Sequence, residues 1–339
     1  MRRVPLVMVT IVLLSGLATS VSGADSTTTT SSTTTTTTKT IRTMHHRRIA
    51  ALTGLPDPTA VTKRRSALTI KVDNTPQAHP QYGIDKADVV YEEIVEGGIT
   101  RLAATFNSHL PLKVGPVRSV RRTDREIVFP IRGIFAFSGG AQYAVSSIET
   151  APVKLIDESN AGGAMFRDPT RPPPHNLFAN AVALMKEGGK VYSPPALFTY
   201  VAQKAPPVGA PVGSFTVNFL SGFAVSYQWD GKTHDWLRSI FATPDVTATG
   251  VRVAPTNVIV MSVKYRGGVG VEGSYAQLVG SGPVEVFSDG RLQKGFWHRS
   301  IIQRPTAYRT RTGKIIKLRP GQTWVELLAV GETVSASGR

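Results

Sequence analysis

Short alternating or continuous apolar runs predict several strands in the first half of the chain. Residues 67–74 (ALTIKVDN) predict one strand, and residues 134–140 (IFAFSGG) predict a buried strand that ends in a Gly-Gly turn. Residues 87–108 are rich in Val and Ile and predict two strands around the Gly97-Gly98 turn. These strands supply the core of an N-terminal region.

Two segments of the same region have helical spacing and helix-end signals. Residues 123–132 begin with Thr123 as a candidate N-cap and carry Glu126 three residues later, and Pro130 is expected to end or kink the helix. Residues 176–189 place apolar side chains on one side and stop at Gly188. We expect a mixture of strands and helices here.

Beyond the proline-rich stretch 204–213, the pattern changes to short β-rich segments separated by turns such as Asp289-Gly290. We therefore predict an α+β protein with a domain boundary near this stretch. A mixed N-terminal α/β domain (residues 49–205) is followed by a mainly antiparallel, β-rich C-terminal domain (residues 213–332).

The N-terminus has the layout of a secretory signal peptide. Arg2 and Arg3 precede the apolar run 4–17, which is shorter than the roughly 20 residues of a membrane span, and small residues follow. We predict a signal peptide at residues 1–24, a disordered Thr/Ser-rich linker at 25–48, and a secreted or extracytoplasmic, envelope-associated protein. The alternative is an uncleaved N-terminal segment, which would be the chain's one route to the membrane.

The amino-acid composition and the motifs that are absent exclude several kinds of chemical site. The chain has no cysteine, which excludes lipidation at a cysteine, disulfides, thiolate metal sites and a cysteine nucleophile. Its net charge of +16 favours an anionic cell-wall or envelope polymer as partner, and basic residues are not interleaved with aromatics as in nucleic-acid grooves. No phosphate-binding loop, dinucleotide fingerprint or zinc motif occurs, so we predict neither a cofactor nor a metal. Protein partners stay open.

The stretch VGPVRSVRRTD (residues 114–124) concentrates arginines after a Gly-Pro turn. Arg118 and Arg121 are three residues apart and lead into the predicted helix, whose N-terminus attracts anions. Arginine suits bidentate recognition of phosphate, sulfate or carboxylate. The alternative is a structural ion-pair network with the acidic residues upstream. Arg122 and Arg125 are expected to be solvated residues at the helix start.

Acidic residues in the predicted hairpin form a second candidate group. In a strand, Glu92 and Glu93 point to opposite faces, so one of them lies on an apolar side unless that side forms a wet cleft. A buried carboxylate needs a partner, and Arg101 is the nearest candidate across the hairpin.

Two loops complete the candidate site. Asp73 and Asn74 end the first strand before a proline-rich turn, where such residues also act simply as turn starters. Residues 166–180 (FRDPTRPPPHNLFAN) place Arg167 and Asp168 before a proline-rich loop and His175-Asn176 before a helix. A histidine there can act as an acid or base, whereas the asparagine could do no more than cap the helix.

The ordered set DNTPQAHPQYGIDKADVVYEEIVEGGITR, VGPVRSVRRTD, FAFSGG and RDPTRPPPHNLFAN resembles the YerB-like lipoprotein family, a bacterial domain family of unknown function. The β-rich half resembles the C-terminal domain of that family, so the resemblance covers roughly residues 50–330. It implies an envelope setting and no mechanism. The lipid anchor is not carried over, because the cysteine is missing. The residues that match the family motifs are Asp73, Asn74, Glu92, Glu93, Glu96, Arg101, Arg118, Arg121, Arg167, Asp168, His175 and Asn176.

Two functions follow as hypotheses, beside the alternative of a structural envelope protein whose polar clusters only support loops. In the first, an Arg-rich cleft binds an anionic envelope ligand, with Arg118 and Arg121 on the anion and Glu92 or Glu93 orienting them. In the second, the protein is a secreted hydrolase of glycosidic or phosphodiester bonds. Its acid or base would be His175, with Glu93 or Asp168 as partner. The hydrolase requires His175 to lie near Arg118.

Overall fold

The computed structural model describes residues 48–189, 192–202 and 204–338. These residues belong to one compact unit that spans His46–Arg339. The predicted signal peptide and nearly all of the predicted linker lie outside the described residues. Within the described ranges, no helix is both long and apolar enough to cross a membrane.

The described chain contains three α-helices and several single turns of 3₁₀ helix. The α-helices are α1 (Arg122–Ile131), α2 (Gln142–Ile148) and α3 (Ala181–Glu187). The 3₁₀ turns are Val61–Arg64, Pro76–Ala78, Ile84–Lys86, Glu96–Gly98 and Leu220–Gly222.

Strands make up most of the regular structure. Those of the first half are β1 (Leu68–Asp73), β2 (Val89–Ile94), β3 (Thr100–Phe106), β4 (Gly133–Ala136), β5 (Val153–Ile156), β6 (Met165–Arg167) and β7 (Leu177–Ala179). Those of the second half are β8 (Ala210–Pro211), β9 (Ser214–Asn218), β10 (Ala224–Asp230), β11 (Asp235–Ile240), β12 (Thr243–Pro244), β13 (Asn257–Val263), β14 (Tyr265–Arg266), β15 (Tyr275–Ala276), β16 (Gly280–Ser288), β17 (Arg291–Arg299), β18 (Ala307–Thr310), β19 (Thr323–Ala329) and β20 (Thr333–Ser337).

One large mixed sheet runs through both halves of the chain. Its order is β18-β17-β16-β13-β19-β2-β3-β1-β4-β5, with β8 paired to β17. Strand β19 lies between β13 and β2 and is parallel to both, so the last part of the chain joins the first half to the second. A five-stranded sheet, β12-β11-β10-β9-β20, packs against the large sheet.

Both faces of the large sheet are buried at its central strands. Helix α1 and helix α2 cover one face, with Ile127 and Ile148 in the core between them and the strands. Helix α3 and loops cover the other face near β1, and the five-stranded sheet covers it near β13. Strands β1, β2 and β3 are buried on both faces, and their apolar residues made them detectable from sequence even though charged residues such as Lys71, Glu92 and Arg101 interrupt them.

The α+β prediction is confirmed in its coarse form, although the protein is richer in β-structure than expected. The predicted N-cap Thr123 is wrong, because α1 begins at Arg122 and Asp124 accepts the Arg121 N–H at 2.7 Å. The predicted helix from residue 176 is also shorter: β7 intervenes, and Asn180, not Asn176, accepts the N–H of Ala183 at the helix start.

Candidate functional site

Strand β1 ends at a point where two distant loops converge. The segment after Gly115 runs beside β1, with the Arg118 N–H donating to Lys71 O at 2.9 Å. On its other side the same segment bonds β7, with the Val117 N–H donating to Leu177 O at 2.6 Å. Because this segment lies between β1 and β7, Arg118 is placed beside the last residue of β1. His175, from the loop before β7, lies there too.

That last residue is Asp73, whose side chain is fully buried. Its Oδ1 accepts the Thr75 N–H at 3.1 Å. Its Oδ2 lies 2.8 Å from His175 Nδ1 and 2.9 Å from Arg118 Nε. Burial by itself would raise the pKa of Asp73. The hydrogen bonds from Thr75 and His175 and the positive charge of Arg118 outweigh this effect, so the pKa of Asp73 lies below its ordinary value. The carboxylate is therefore an anion that holds two side chains in place.

Both held side chains keep polar atoms available. The side chain of Arg118 is 22% exposed and that of His175 is 13% exposed. Because Nδ1 of His175 faces the carboxylate, Nε2 points away from it. Within the described residues, no hydrogen bond reaches His175 Nε2 or the Nη atoms of Arg118. These groups can receive a ligand without breaking an internal bond.

Arg101 adds a second guanidinium at the same end of the sheet. It lies opposite both Asp73 and Glu93 in the strand register, and its side chain is only 6% exposed. Its Nη1 donates to Ser119 O at 3.3 Å, its Nη2 is 3.6 Å from Glu96, and its buried Nε has no acceptor. Burial and the neighbouring Arg118 lower the pKa of Arg101.

Arg121 has a different environment from Arg118. Its Nε donates to Glu96 Oε2 at 2.7 Å and its Nη2 donates to Glu96 Oε1, which makes a bidentate ion pair. The sequence predicts that Arg118 and Arg121 bind one anion together. The structure differs, because the guanidinium of Arg121 is already paired with Glu96. Arg101, not Arg121, is the electrostatic neighbour of Arg118.

Glu93 lies on the face covered by α1 and pairs with a lysine that sequence reasoning missed. Lys71 Nζ donates to Glu93 Oε1 and to Asp124 Oδ1, the latter at 2.9 Å, and all three side chains are buried. One cation thus serves two carboxylates. Burial raises the pKa of Asp124 to about 6, although Lys71 lowers it, and the Glu93 charge adds to the rise. Glu93 therefore orients neither Arg118 nor His175.

Glu92 lies on the opposite face and joins another buried network. Its Oε2 accepts from Arg238 Nη2 at 2.7 Å, and Arg238 Nη1 donates to Asp245. Its Oε1 accepts from Asn74 Nδ2 at 3.0 Å and from Thr100 Oγ1 at 2.6 Å. Asp73 and Asn74 are consecutive residues at the end of β1, but they belong to different sites. Asp73 contacts His175 and Arg118 on one face of the sheet, and Asn74 bonds Glu92 on the other face.

Glu326 is the neighbour of Glu92 across the parallel β19–β2 pairing. It accepts a hydrogen bond from the Tyr227 hydroxyl. Burial and the adjacent Glu92 raise the pKa of Glu326 well above its ordinary value. The protonated form of Glu326 is thereby favoured, and Arg238 is shared by the carboxylates of Glu92 and Asp245.

The remaining predicted residues lie in local loop contacts. Arg167 donates to Glu158 Oε1 at 2.7 Å and to Asn176 Oδ1 at 2.9 Å. Asp168 accepts from Lys113 Nζ at 2.6 Å. The hydrogen bond from Lys113, with a bond from Thr170, lowers the pKa of Asp168. The carboxylate bonded to His175 is thus Asp73, and the expected partners Glu93 and Asp168 have other roles.

Arg122 and Arg125 are also not simply solvated. Arg122 donates to Gly273 O at 3.1 Å and lies 4.4 Å from the centre of the Tyr275 ring, and Arg125 donates to Thr150 Oγ1 at 2.6 Å. They line a pocket of about 550 Å³ together with Tyr143. The expectation of a purely solvated helix start is wrong, because Arg122 contacts the second half of the chain and Arg125 bonds Thr150 in the loop after α2.

The missed residues share one sequence signal. Lys71, Arg238 and Glu326 each lie in a strand beside buried apolar residues, and a charge buried there needs a partner from elsewhere in the fold. That signal marks the residue but cannot name its partner. Across the described ranges, no three His, Asp or Glu side chains converge as a metal site.

Two family models match the chain in order. Residues 52–191 match "Protein of unknown function (DUF3048) N-terminal domain", and residues 215–325 match the corresponding C-terminal domain.

A relative and a solved structure agree with this assignment. The protein named "Putative lipoprotein YerB" from Bacillus subtilis (strain 168) is 28% identical over 308 residues, which cover 85% of this chain and 88% of the relative. The crystal structure of YerB from Bacillus subtilis has a TM-score of 0.72 at 25% identity and covers 85% of this chain and 99% of that one. The chain described here therefore belongs to the DUF3048 family and carries both of its domains.

Proposed function

We propose that this protein is an extracytoplasmic envelope protein that binds a phosphate-bearing or other anionic envelope polymer at the Arg118–His175 site. The setting is supported by the signal-like N-terminus and by the name of the Bacillus relative, which describes a lipoprotein. The mature chain stays strongly basic, which attracts polyanions to it.

One observation carries the proposal. A single oxygen of buried Asp73 is hydrogen-bonded to His175 Nδ1 and forms an ion pair with Arg118 Nε at 2.9 Å, while His175 Nε2 and the Arg118 Nη atoms have no partner within the described residues. A guanidinium presents two parallel N–H donors to an oxyanion, and the neighbouring His175 adds a third from Nε2 in its doubly protonated form, since Nδ1 already donates to Asp73. Holding these donors in advance reduces the side-chain entropy lost when an anion binds.

Arg101 strengthens the site. Its buried Nε has no acceptor, its Nη atoms make only long contacts, to Ser119 O at 3.3 Å and to Glu96 at 3.6 Å, and it lies opposite Asp73 in the strand register. An incoming anion would interact favourably with both guanidinium groups. Arg121 is not part of the site, because its guanidinium is bound by Glu96 on two atoms.

Removing the Arg118 guanidinium tests this proposal. We expect Arg118→Gln to weaken binding of the full chain to purified cell wall by at least tenfold, because the proposed bidentate contact is lost. The exposed Arg311→Gln removes the same charge elsewhere and serves as control. Cell walls from which the phosphodiester polymers have been removed should bind the wild-type protein and the Arg118→Gln variant equally weakly. Equal binding by Arg118→Gln and Arg311→Gln would contradict the proposal.

A hydrolase is the second candidate, favoured by the 2.8 Å contact between Asp73 Oδ2 and His175 Nδ1. A carboxylate in this position orients an imidazole so that its other nitrogen can take a proton from water. The adjacent Arg118 would stabilise negative charge on a phosphoryl group. This arrangement favours phosphodiester over glycosidic bonds, because a glycosidase needs two available carboxyl groups and Asp73 is fully engaged.

Turnover separates the two candidates. Full-length protein is incubated with bis(p-nitrophenyl) phosphate and with phosphate-bearing wall polymer, and product release is followed. Hydrolysis that is lost in His175→Gln and kept in Arg311→Gln would replace the binding function with the hydrolase. Binding without turnover supports the first candidate.

A further inference from the structure

A pocket of about 350 Å³ lies on the face of the sheet opposite the Asp73 carboxylate. The turn after β1 forms one wall with Asn74 and His79, and the β10–β12 sheet forms the other with Phe223, Phe241 and Asp245. Its volume is within the range of small-molecule sites. The pocket is independent of the anion site proposed above.

The hydrogen bonds of Asn74 fix which nitrogen of His79 carries its proton. Asn74 Nδ2 donates to Glu92 at 3.0 Å and to Thr100 Oγ1 at 2.8 Å, so its Oδ1 is an acceptor. That Oδ1 accepts from Gln81 Nε2 at 3.0 Å and lies 3.2 Å from His79 Nε2. His79 Nε2 must therefore donate, and Nδ1 of the neutral ring is an acceptor.

This Nδ1 faces a second acceptor. It lies 3.8 Å from Asp245 Oδ1, too far for a direct hydrogen bond. Burial lowers the pKa of His79, and the charge of Arg238 lowers it further. The negative charges of Asp245, Glu92 and Asp73 act in the opposite direction but do not outweigh burial. The ring is thus neutral near pH 7, and two acceptors face each other across a gap.

The described residues supply no donor to this gap. Arg238 occupies the other oxygen of Asp245, and Arg252 donates to the carbonyl oxygen of Asp245 at 3.0 Å instead of its carboxylate. Arg238 is moreover shared with Glu92. The wall therefore offers acceptors and negative charge to whatever enters.

The rim is aromatic. Phe223 and Phe241 meet edge to face with ring centres 5.1 Å apart, and Phe241 is 53% exposed. Phe241 has φ 48°, a left-handed conformation that is unusual for a bulky residue. Aromatic rings attract cations through their faces and pack against apolar groups through their area.

We propose that this pocket binds a primary ammonium group carried on an apolar body. The ammonium group donates one hydrogen bond to His79 Nδ1 and one to Asp245 Oδ1, and so bridges the two acceptors. The body lies against Phe223, Phe241 and Pro80. A neutral polyol fits less well, because the Asn74 amide is fully used and few other polar groups line the wall.

Calorimetry on the full chain at pH 8 tests the site with benzylammonium and with benzyl alcohol, which match in size. We expect benzylammonium to bind at least tenfold more tightly, since the alcohol has one donor and no charge. Comparable affinities, or no measurable benzylammonium binding, would overturn the proposal.

Variants locate the binding. Phe241→Ala alters an exposed side chain, so the fold is retained, and we expect at least fivefold weaker binding. Phe296→Ala, 51% exposed on β17, is the matched control and should bind as wild type. Asp245→Asn, where circular dichroism shows it folded, should lose the preference for the ammonium. Unchanged binding by Phe241→Ala would overturn the site.

Discussion

At the scale of single residues, the buried charges show how the protein keeps polar groups inside an apolar sheet. Lys71 serves Glu93 and Asp124, and Arg238 serves Glu92 and Asp245. Each network has one more carboxylate than cations. Such clusters are sensitive, because removing the shared cation leaves unpaired buried charges.

Lys71→Met should destabilise the protein by about 3–5 kcal/mol, because it leaves Glu93 and Asp124 without a cation. Urea unfolding at pH 7 measures the change. Lys63→Met, an exposed position, should be nearly neutral. A loss below about 1 kcal/mol at position 71 would show that the lysine is not the essential partner.

The raised pKa of Asp124 predicts a pH effect. The folded protein keeps this proton up to about pH 6, whereas the unfolded chain loses it near its ordinary value of 3.8. The folded state therefore binds more protons in this window, and stability falls as the pH rises through it.

Asp124→Asn should remove this part of the pH dependence. A shift of this size corresponds to as much as about 3 kcal/mol between pH 4 and pH 6. The free energy of unfolding is measured for wild type and variant across that range. Parallel curves would mean that Asp124 titrates normally in the folded protein.

At the scale of elements, the longer strands were predictable, whereas the short strand β7 and the helix ends were not. Apolar residues mark β1, β2 and β3, although charged residues interrupt each of them. The start of α1 was misjudged because Thr123 Oγ1 accepts the N–H of Ala276, a partner in the second half of the chain. Local capping rules cannot anticipate such a partner.

The same limit applied to the candidate site. Sequence reasoning selected Asp73, Arg118 and His175 as individual residues, and the structure brings these three together. It did not identify Asp73 as the shared carboxylate, because that contact depends on the loop after Gly115 lying between β1 and β7.

Gly133, at the junction of α1 and β4, should resist substitution. It has φ 89°, and a Cβ there would lie 2.2 Å from Ala67 O. Gly133→Ala should cost at least about 2 kcal/mol more than Gly97→Ala, which has φ 77° and open space around it. Thermal and urea unfolding compare the two. Equal losses would show that the backbone contact relaxes freely.

At the scale of the whole molecule, the two family segments are joined through the centre of one sheet. Strand β19, late in the sequence, pairs with β2 of the first half and β13 of the second. The sequence pattern changes at residues 204–213 and so predicts two domains, but a pattern cannot reveal which strands of the two segments pair.

Producing residues 49–205 and 213–332 separately tests how independent the predicted domains are. We expect neither segment to unfold cooperatively alone, because separation exposes the edges of β2 and β19 and their apolar faces. Calorimetry and amide-proton dispersion in NMR spectra report on this, with the full chain as control. Two independently folded segments would instead support separate domains.

Nitrogen NMR of the histidine side chains with inorganic phosphate tests the central claim, anion binding at Arg118 and His175, most directly. We expect phosphate to shift the His175 Nε2 signal in a saturable manner at constant pH, and this response to be lost in Arg118→Gln and kept in Arg311→Gln. A His175 signal that does not respond to phosphate, or that responds equally in Arg118→Gln, would contradict it.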